Sequence, residues 1–478
     1  MNEPDSSGAG DGSSAAPGPS NGAGGAGVDS GGLGEMPPAT LPGSGSGSGG
    51  APGAAGSASM PPAGETPPAL PPALLSLSVA VTGSGFVTSD PPGIDCPGTC
   101  SASFARGTAV RLTEERVDGS GEYREAWQGA CAGADECVVS MNEAASVGVS
   151  FGPPNVAFVT SSRVAPGTLG GLAGADALCQ QRAAAGGLSG TYRAWLQTEA
   201  ASAASRFPSS RGWVRPDGRA VADSAESLGN ANIFYPITLD ESGARGTSIQ
   251  IATGVFYPGT GPGTCNDWTV PTQASSYGYG SGRNAGSPFQ IGGLNYCDVP
   301  ASFYCLGTDR QVKVVPDRAA GRVAFASVGR FTPGAGVGPA DALCAAEAAR
   351  AGLTGSFRAE LATSTALPQS RFDLTGPPWV RVDGVQLAAT ARAYFEDDLS
   401  LSAPTLTAGG VFITTDVRIW LGMSFDRSIS DATTCQSWLG SGEAATGFSS
   451  SLGSTENPAA PRSANTCTNG APVICLQE

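Results

Sequence analysis

Eight of the twelve cysteines fall into two sets with matching intervals. Cys265 and Cys297 are 32 residues apart, and so are Cys435 and Cys467. Cys297 to Cys305 is 8 residues, and so is Cys467 to Cys475. The first interval differs slightly, 86 residues for Cys179 to Cys265 against 91 for Cys344 to Cys435, which places insertions in loops. Other phrases recur in the same order. "SRF" stands at 205–207 and 370–372, and "WVRPDG" at 213–218 answers "WVRVDG" at 379–384. A strand containing "VAF" (Val156, Val323) opens each copy, and Cys265–Trp268 and Cys435–Trp438 share the pattern C-x-x-W. The chain is therefore a tandem duplication, with domains expected at 155–308 and 320–478, and not a short-period solenoid.

Cysteine usage sets the compartment. Twelve is even, and there is no C-x-x-C and no histidine. Zinc sites show paired short spacings, so a disulfide framework in an oxidising compartment is expected. The absence of histidine excludes Ser-His-Asp and Cys-His nucleophile systems, H-E-x-x-H sites and histidine acid/base catalysis. No cofactor and no metal are expected. A net charge of −15 argues against a nucleic-acid partner, which needs a basic footprint. No run of 18 apolar residues offers a membrane span. The opening "MNEPDSSGAG" has neither a basic n-region nor an apolar h-region. Either the leader has been removed, or the start codon is misplaced, or the chain is cytosolic with free thiols, and one of the first two is expected. Membrane attachment is expected only through an N-terminal lipid anchor absent from this sequence.

Each copy carries one helix–strand phrase. "GADALCQQRAAAGGLSGTYRAWL" runs over 174–196, and "PADALCAAEAARAGLTGSFRAEL" over 339–361. Pro339 suits the first helical turn, the Ala-rich run favours helix, and Gly352 suits a left-handed cap. Gly186 and Gly187 are expected to do the same in the first copy. "TYRAWL" and "SFRAEL" read as strands, with Tyr192, Ala194 and Leu196 on one face. Cys179 and Cys344 lie mid-helix and are expected to face inward. Cys305 and Cys475 lie in apolar runs that read as buried terminal strands. A bond from helix to last strand would close each domain from start to end. This gives nested pairs, Cys179–Cys305 with Cys265–Cys297 and Cys344–Cys475 with Cys435–Cys467. Four cysteines allow three connectivities, so spacing alone leaves two others open.

Residues 1–72 are low-complexity Gly, Ser, Ala and Pro. They cannot bury enough apolar surface to offset ordering entropy and are expected to be a disordered linker. Residues 73–152 read as a small β module. Leu75, Leu77, Val79 and Val81 alternate as in a half-buried strand, and further strands are expected at "TAVRLTEE", "YREAWQG" and "SVGVSF". Two close cysteine pairs punctuate it, Cys96/Cys100 and Cys131/Cys137. The run "GSGFVTSDPPGIDCPGTCSASFARGTAVRLT…WQGAC…CVVSM…SVGVSF" resembles the divergent internalin-type B-repeat module of bacterial surface proteins. In that resemblance Trp127 is a structural anchor.

The duplicated domain also resembles a family. "ADALCQQRAAAGGLSGTYRAWL" looks like the early helix–strand of endostatin. So does the tail "IWLGMS…TTCQSWLG…ATGFSSSLG…ANTCTNGAPVICLQE", and a related bacterial family of unknown function carries this domain in secreted and lipid-anchored proteins. The resemblance implies an α+β chain. Two C-type lectin-like (endostatin-like) domains would follow the all-β module and the disordered tail. It also implies the nested pairing. Endostatin's zinc-binding histidines have no counterpart here. "CNDW" at 265–268 and "TENP" at 455–458 are in the wrong order for a calcium-dependent lectin site.

In such folds the segment between the second and third cysteines is the long loop region. In the first copy it offers Trp268, Tyr277, Tyr279, Arg283, Asn284, Asn295 and Tyr296. Aromatic faces stack on sugars, and Asn and Arg bond hydroxyls. Trp438 matches Trp268 in position, which points to a structural role for both. Arg206, Arg211, Arg215 and Arg219 crowd one segment. Arg211 and Arg215 are candidates for acidic glycans, although a solvated face is the expected reading. "YFEDD" (Glu396, Asp397, Asp398) reads as a charged loop. The expected function is that of a secreted or surface-tethered binding or adhesion protein, not an enzyme, whose partner is a glycan or an extracellular protein. A structural envelope or matrix component is the alternative, ahead of a carboxylate-based hydrolase.

Overall fold

A computed structural model describes residues 73–133, 135–246, 250–255, 263–413, 417–424, 426–456 and 463–478. The linker expected at 1–72 lies outside the described residues. The alternating run forms strand β1 (Leu74–Thr82), with Leu77 and Val79 buried and Ser76, Ser78 and Ala80 facing solvent. It is followed by β2 (Gly85–Asp90), β3 (Asp95–Cys96), β4 (Ser101–Ala105), β5 (Ala109–Arg116), β6 (Tyr123–Gly129), β7 (Cys137–Ser140) and β8 (Ala145–Gly152). These make two four-stranded sheets, ordered β4-β1-β8-β6 and β3-β2-β5-β7. Leu77, Trp127 and Val147 of one sheet pack with Val87, Leu112 and Val139 of the other. A core this small depends on large anchors and cross-links. Trp127 supplies the first, and Cys96–Cys100 and Cys131–Cys137 the second.

The first repeat comprises β9 (Asn155–Val159), α1 (Leu172–Ala185), β10 (Tyr192–Ala194), β11 (Arg211–Val214), β12 (Ala220–Ser224), β13 (Ile251–Ala252), β14 (Ser276–Gly280), β15 (Gly293–Tyr296) and β16 (Ser302–Gly307). Its eight described strands join one sheet, β12-β11-β9-β16-β13-β14-β15, with β10 also on β16. The terminal strand β16 is buried along its whole length. On α1, Ala175, Cys179 and Ala183 face the core at four-residue spacing. The expected glycine cap is Gly187 alone, at φ 71°, because Gly186 is right-handed at φ −84°. The strand after it ends at Ala194, shorter than the alternation suggests.

The second repeat comprises β17 (Arg322–Ala326), α2 (Gly338–Arg350), β18 (Phe357–Ala359), β19 (Trp379–Arg381), β20 (Arg418–Trp420), β21 (Thr446–Ser451), β22 (Ser463–Thr466) and β23 (Ile474–Gln477). Here the sheet is split, β18-β23-β17-β19 from β20-β21-β22. One backbone donor is missing at this junction, although Trp420 N still donates to Pro472 O (3.0 Å). In the first repeat Ser302 N donates to Gln250 O (3.4 Å), helping to join β16 to β13. Pro472 stands at the matching position and has no N–H to give.

Both repeats are closed by nested disulfides, Cys179–Cys305 around Cys265–Cys297 and Cys344–Cys475 around Cys435–Cys467. The described residues fall in one compact unit, α+β and mostly β. The stretch between repeats is a packed strap. Val312 and Val314 are buried with Tyr123 of the module and Val214 of the first repeat. The repeats also meet directly. Arg381 Nη1 donates to Ile233 O (2.9 Å), Gln386 N to Tyr235 Oη (3.0 Å) and Ala285 N to Gly453 O (2.8 Å).

Candidate functional site

The chain reaches the outer face of each repeat through a left-handed turn. Cys265, Asn266, Asp267 and Trp268 have φ of 53, 51, 50 and 70°, and Cys435–Trp438 repeats this at 50, 56, 55 and 66°. Such a turn costs non-glycine residues roughly 1–2 kcal/mol each, so tertiary ties must hold it. A disulfide holds its first residue. The indole of its last is bonded, Trp268 Nε1 to Gln197 O (2.9 Å) and Trp438 Nε1 to Ala362 O (2.6 Å). Thr264 and Thr434 hydroxyls accept from Asp267 N (3.3 Å) and Ser437 N (3.0 Å). Both tryptophans are fully buried. Beyond the turn lie the ladders β14–β15 and β21–β22.

The fold disperses the residues singled out from sequence. Tyr277 is buried beside Cys265, and burial pushes its phenol up to about 12. Tyr279 is half-buried, with its ring centroid 6.5 Å from that of Tyr277. Arg283 and Asn284 lie in the seam between repeats, Arg283 Nη1 3.1 Å from Glu456 Oε1 and Asn284 bridged to Ser454. Asn295 donates to Gln250 Oε1 (3.2 Å), and Tyr296 beside it is 54% exposed on edge strand β15. Arg211 bonds Asp223 (2.7 Å) and approaches Asp135 (3.4 Å). Arg215 is buried against Asp217 (2.5 Å) and Thr238 (2.9 Å). Burial alone would raise Asp217, but the Arg215 and Arg219 bonds hold it below the usual carboxylate range. The Arg-rich segment is thus ion-paired, not a solvated face. Arg206 staples α1 to β10, bonding Asp176 (2.7 Å) and the carbonyl of Ala194. Arg371 does the same with Asp341 (2.6 Å) and Ala359 O (2.7 Å).

On the corresponding outer face of the second repeat a cavity of about 520 Å³ opens. Arg330, Arg418, Trp420, Asn465, Asn469 and Gly470 line it, and among the described residues none of those lining it is a carboxylate. Strand register aligns these with Arg163, Gln250, Ala252, Asn295, Val299 and Pro300 of the first repeat. Arg330 Nη2 donates to Gly470 O as Arg163 Nη2 does to Pro300 O. Asn465 Nδ2 is held by Ser449 Oγ (2.5 Å) and Asn469 Nδ2 by Thr466 Oγ1 (3.1 Å). The difference between copies is a volume exchange. Trp420 fills the space that Tyr277 fills in the first repeat, with Gly447 opposite in place of Tyr277 and Ala252 in place of Trp420. Sequence reading examined the first copy's loop and missed this site. The shared 32-residue interval was the available signal, since it carries Asn295 onto Asn465.

A more open groove of about 870 Å³ lies beside Arg211 and Asp135, but the Arg211 guanidinium is already committed to Asp223. Among the described residues no group of three His, Cys, Asp or Glu comes together as a metal site. Every cysteine is bonded. No protein-family model matches the chain, and a search of curated proteins finds no match.

Proposed function

We propose that the chain is a disulfide-stabilised binding protein that acts outside the cell or at its surface and recognises a glycan or an extracellular partner. The observation that carries this reading is that all twelve cysteines are bonded, in six pairs, as oxidising compartments favour. A C-type lectin-like reading of each repeat agrees with it. The first and last strands lie side by side, the helix is bonded to the last strand, and the segment between the middle cysteines builds its own ladder. Fold analogy alone assigns no ligand. The cavity on the second repeat's outer face supplies the place for one. No catalytic step is part of this reading.

The test applies the full chain, oxidised, to a glycan array and to immobilised matrix proteins at physiological salt. Saturable binding to one class, abolished by reduction, supports the reading. No binding to either overturns it. The seam favours a second reading as a structural envelope component, because it occupies Arg283 and Asn284 with internal contacts. Under that reading Tyr296 and Asn465 variants act normally while cysteine variants fail to accumulate.

A further inference from the structure

We infer that the second repeat carries, beside the C-terminal end of α2, a docking cleft for a segment of a partner protein that presents an apolar side chain next to a carboxylate. This rests on the binding reading above and gives a protein partner a surface of its own, apart from the outer-face cavity.

The two copies fill this place differently. In each, a turn leaves the first strand, where Val159 N donates to Leu239 O (2.9 Å) and Ala326 N to Leu406 O (2.8 Å). The bridges Leu239–Arg245 and Leu406–Phe412 close the two turns. In the first repeat the turn rests on α1. Glu241 accepts from Arg182 Nε (2.7 Å) and Ser161 N (3.0 Å), and Gly186 makes room, since a Cβ there would run into Glu241 O. In the second repeat each of these groups is different. Counted from the helix cysteine, the first strand and the bridge, Glu347 replaces Arg182, Ala351 replaces Gly186, Val328 replaces Ser161 and Ala408 replaces Glu241. Glu347 now caps Val328 N and Gly329 N from the helix, so a carboxylate on the turn has nothing left to bond there. The methyl of Ala351 stands where the first repeat's turn makes its contact.

A cleft of about 460 Å³ is left between α2 and the turn, with apolar walls from Val328, Leu343, Ala351 and Ala408. Val328 is 70% exposed and Val411, on the same turn, 65%, where the first repeat has Ser161 and Ala244. Apolar exposure gathered in one place marks a contact surface for another protein. Charge selects the kind of segment. The one carboxylate among the described lining residues is Glu347, which is buried with both oxygens taken by the two N–H groups. Arg350 lines the cleft from the last turn of α2 and is exposed. Among the described residues it has no ion pair and no side-chain hydrogen bond. Such a cation is scarce in a chain of net −15 whose Arg206, Arg215, Arg371 and Arg381 all sit on aspartates. A free guanidinium at the rim of an apolar cleft complements an aliphatic or aromatic residue flanked by Asp or Glu, whose paired oxygens fit its planar fork. The first repeat has Ala185 at that position, so the plug is lost and the cation gained in the same copy.

Selection of a phage-displayed random peptide library on the immobilised full, oxidised chain tests this, with the enriched sequences then titrated as free peptides by calorimetry. The expected consensus sets Leu, Ile, Met or Phe beside Asp or Glu. Val328→Ser, Arg350→Ala and Leu439→Thr each install the first repeat's residue at an exposed position, so an unchanged melting temperature is expected of all of them. Val328→Ser is expected to weaken the selected peptide about tenfold through lost apolar burial. Arg350→Ala is expected to weaken it about threefold, and only at low salt. Leu439→Thr, at an exposed apolar residue that does not line the cleft, leaves it unchanged. No consensus, a consensus without an acidic residue, or full binding by Val328→Ser overturns the inference. So does dimerisation of the parent chain in sedimentation velocity that Val328→Ser abolishes, because the occupant is then a second copy. If array or matrix binding persists in Val328→Ser while no peptide is selected, the cleft falls and the binding function stands. If array and matrix are also blank, both fall.

Discussion

Glu360 occupies the position of Trp195, and Tyr394 that of Leu228. The alternation Tyr192, Ala194, Leu196 puts residue 195, and with it 360, on the outward face. Both are fully buried instead, because each sheet is covered on both sides and alternation no longer separates core from solvent. Tyr394 Oη donates to Glu360 Oε2 (2.9 Å), and Glu360 Oε1 has no partner among the described residues. Burial pushes the carboxyl up to about 8, opposed only by the Tyr394 bond, so the group is neutral at pH 7. The folded state holds this proton more tightly than the unfolded chain, whose carboxyl titrates near 4.5. Its contribution is therefore full below pH 4.5, falls by up to about 1.4 kcal/mol per unit, and is lost as pH passes about 8. With no histidine, no side chain of ordinary pKa titrates between about pH 6 and 8. The melting temperature is expected to drop between pH 5 and 8. Glu360→Gln should flatten that drop and melt higher than the parent at pH 8. An equal drop in both proteins would contradict a buried neutral carboxyl.

At the scale of elements, strands and caps were legible where local chemistry decides them. Alternation located β1, the apolar runs located β16 and β23, and Gly187 and Gly352 are left-handed caps, at φ 71° and 73°. The left-handed C-x-x-W turns were not legible. "CNDW" and "CQSW" contain no glycine, and a disulfide, a buried indole and a threonine hydroxyl sustain their backbone. One backbone cap also changed its source between copies. In the first repeat Glu241 accepts from Ser161 N (3.0 Å). Burial would raise its carboxyl, but Ser161 and Arg182 hold it below the usual range. In the second the carboxylate comes from helix α2, with Glu347 accepting from Val328 N (2.9 Å) and Gly329 N (2.7 Å). The β20–β21 packing permits a direct test. A Cβ on Gly447 would lie 2.6 Å from Cys435 Sγ and 3.0 Å from Trp420. Trp420→Ala is expected to cost about 3–5 kcal/mol by leaving a cavity, and Gly447→Tyr to clash. The double variant reproduces the first repeat's pairing. In urea denaturation it should be more stable than the sum of the single losses allows. Strict additivity would show that the two positions do not share one space.

Across the whole molecule, the cysteine intervals made the duplication legible, but not the way the copies meet. The seam joins residues 231–237 and 283–286 of the first repeat with residues 381–412 and 452–456 of the second. Arg381 is its buried centre. It bonds Asp383 (2.5 Å), Thr405 (3.0 Å) and Ile233 O, with the ring of Phe412 5.1 Å away. Arg381→Ala leaves the buried Thr405 hydroxyl and Ile233 carbonyl without this donor and the half-buried Asp383 without its cation. It is expected to cost about 3–5 kcal/mol and to separate the thermal transitions of the two repeats in calorimetry. A single unshifted transition would mean that Arg381 does not couple the repeats. The disulfides carry the oxidising compartment, the closed repeats and the outer faces they display. Non-reducing peptide mapping of the purified chain tests them most directly. The predicted result is peptides joined as Cys179–Cys305, Cys265–Cys297, Cys344–Cys475 and Cys435–Cys467, with the two module bonds intact. Free thiols throughout, or a peptide joining Cys297 to Cys305, would contradict it.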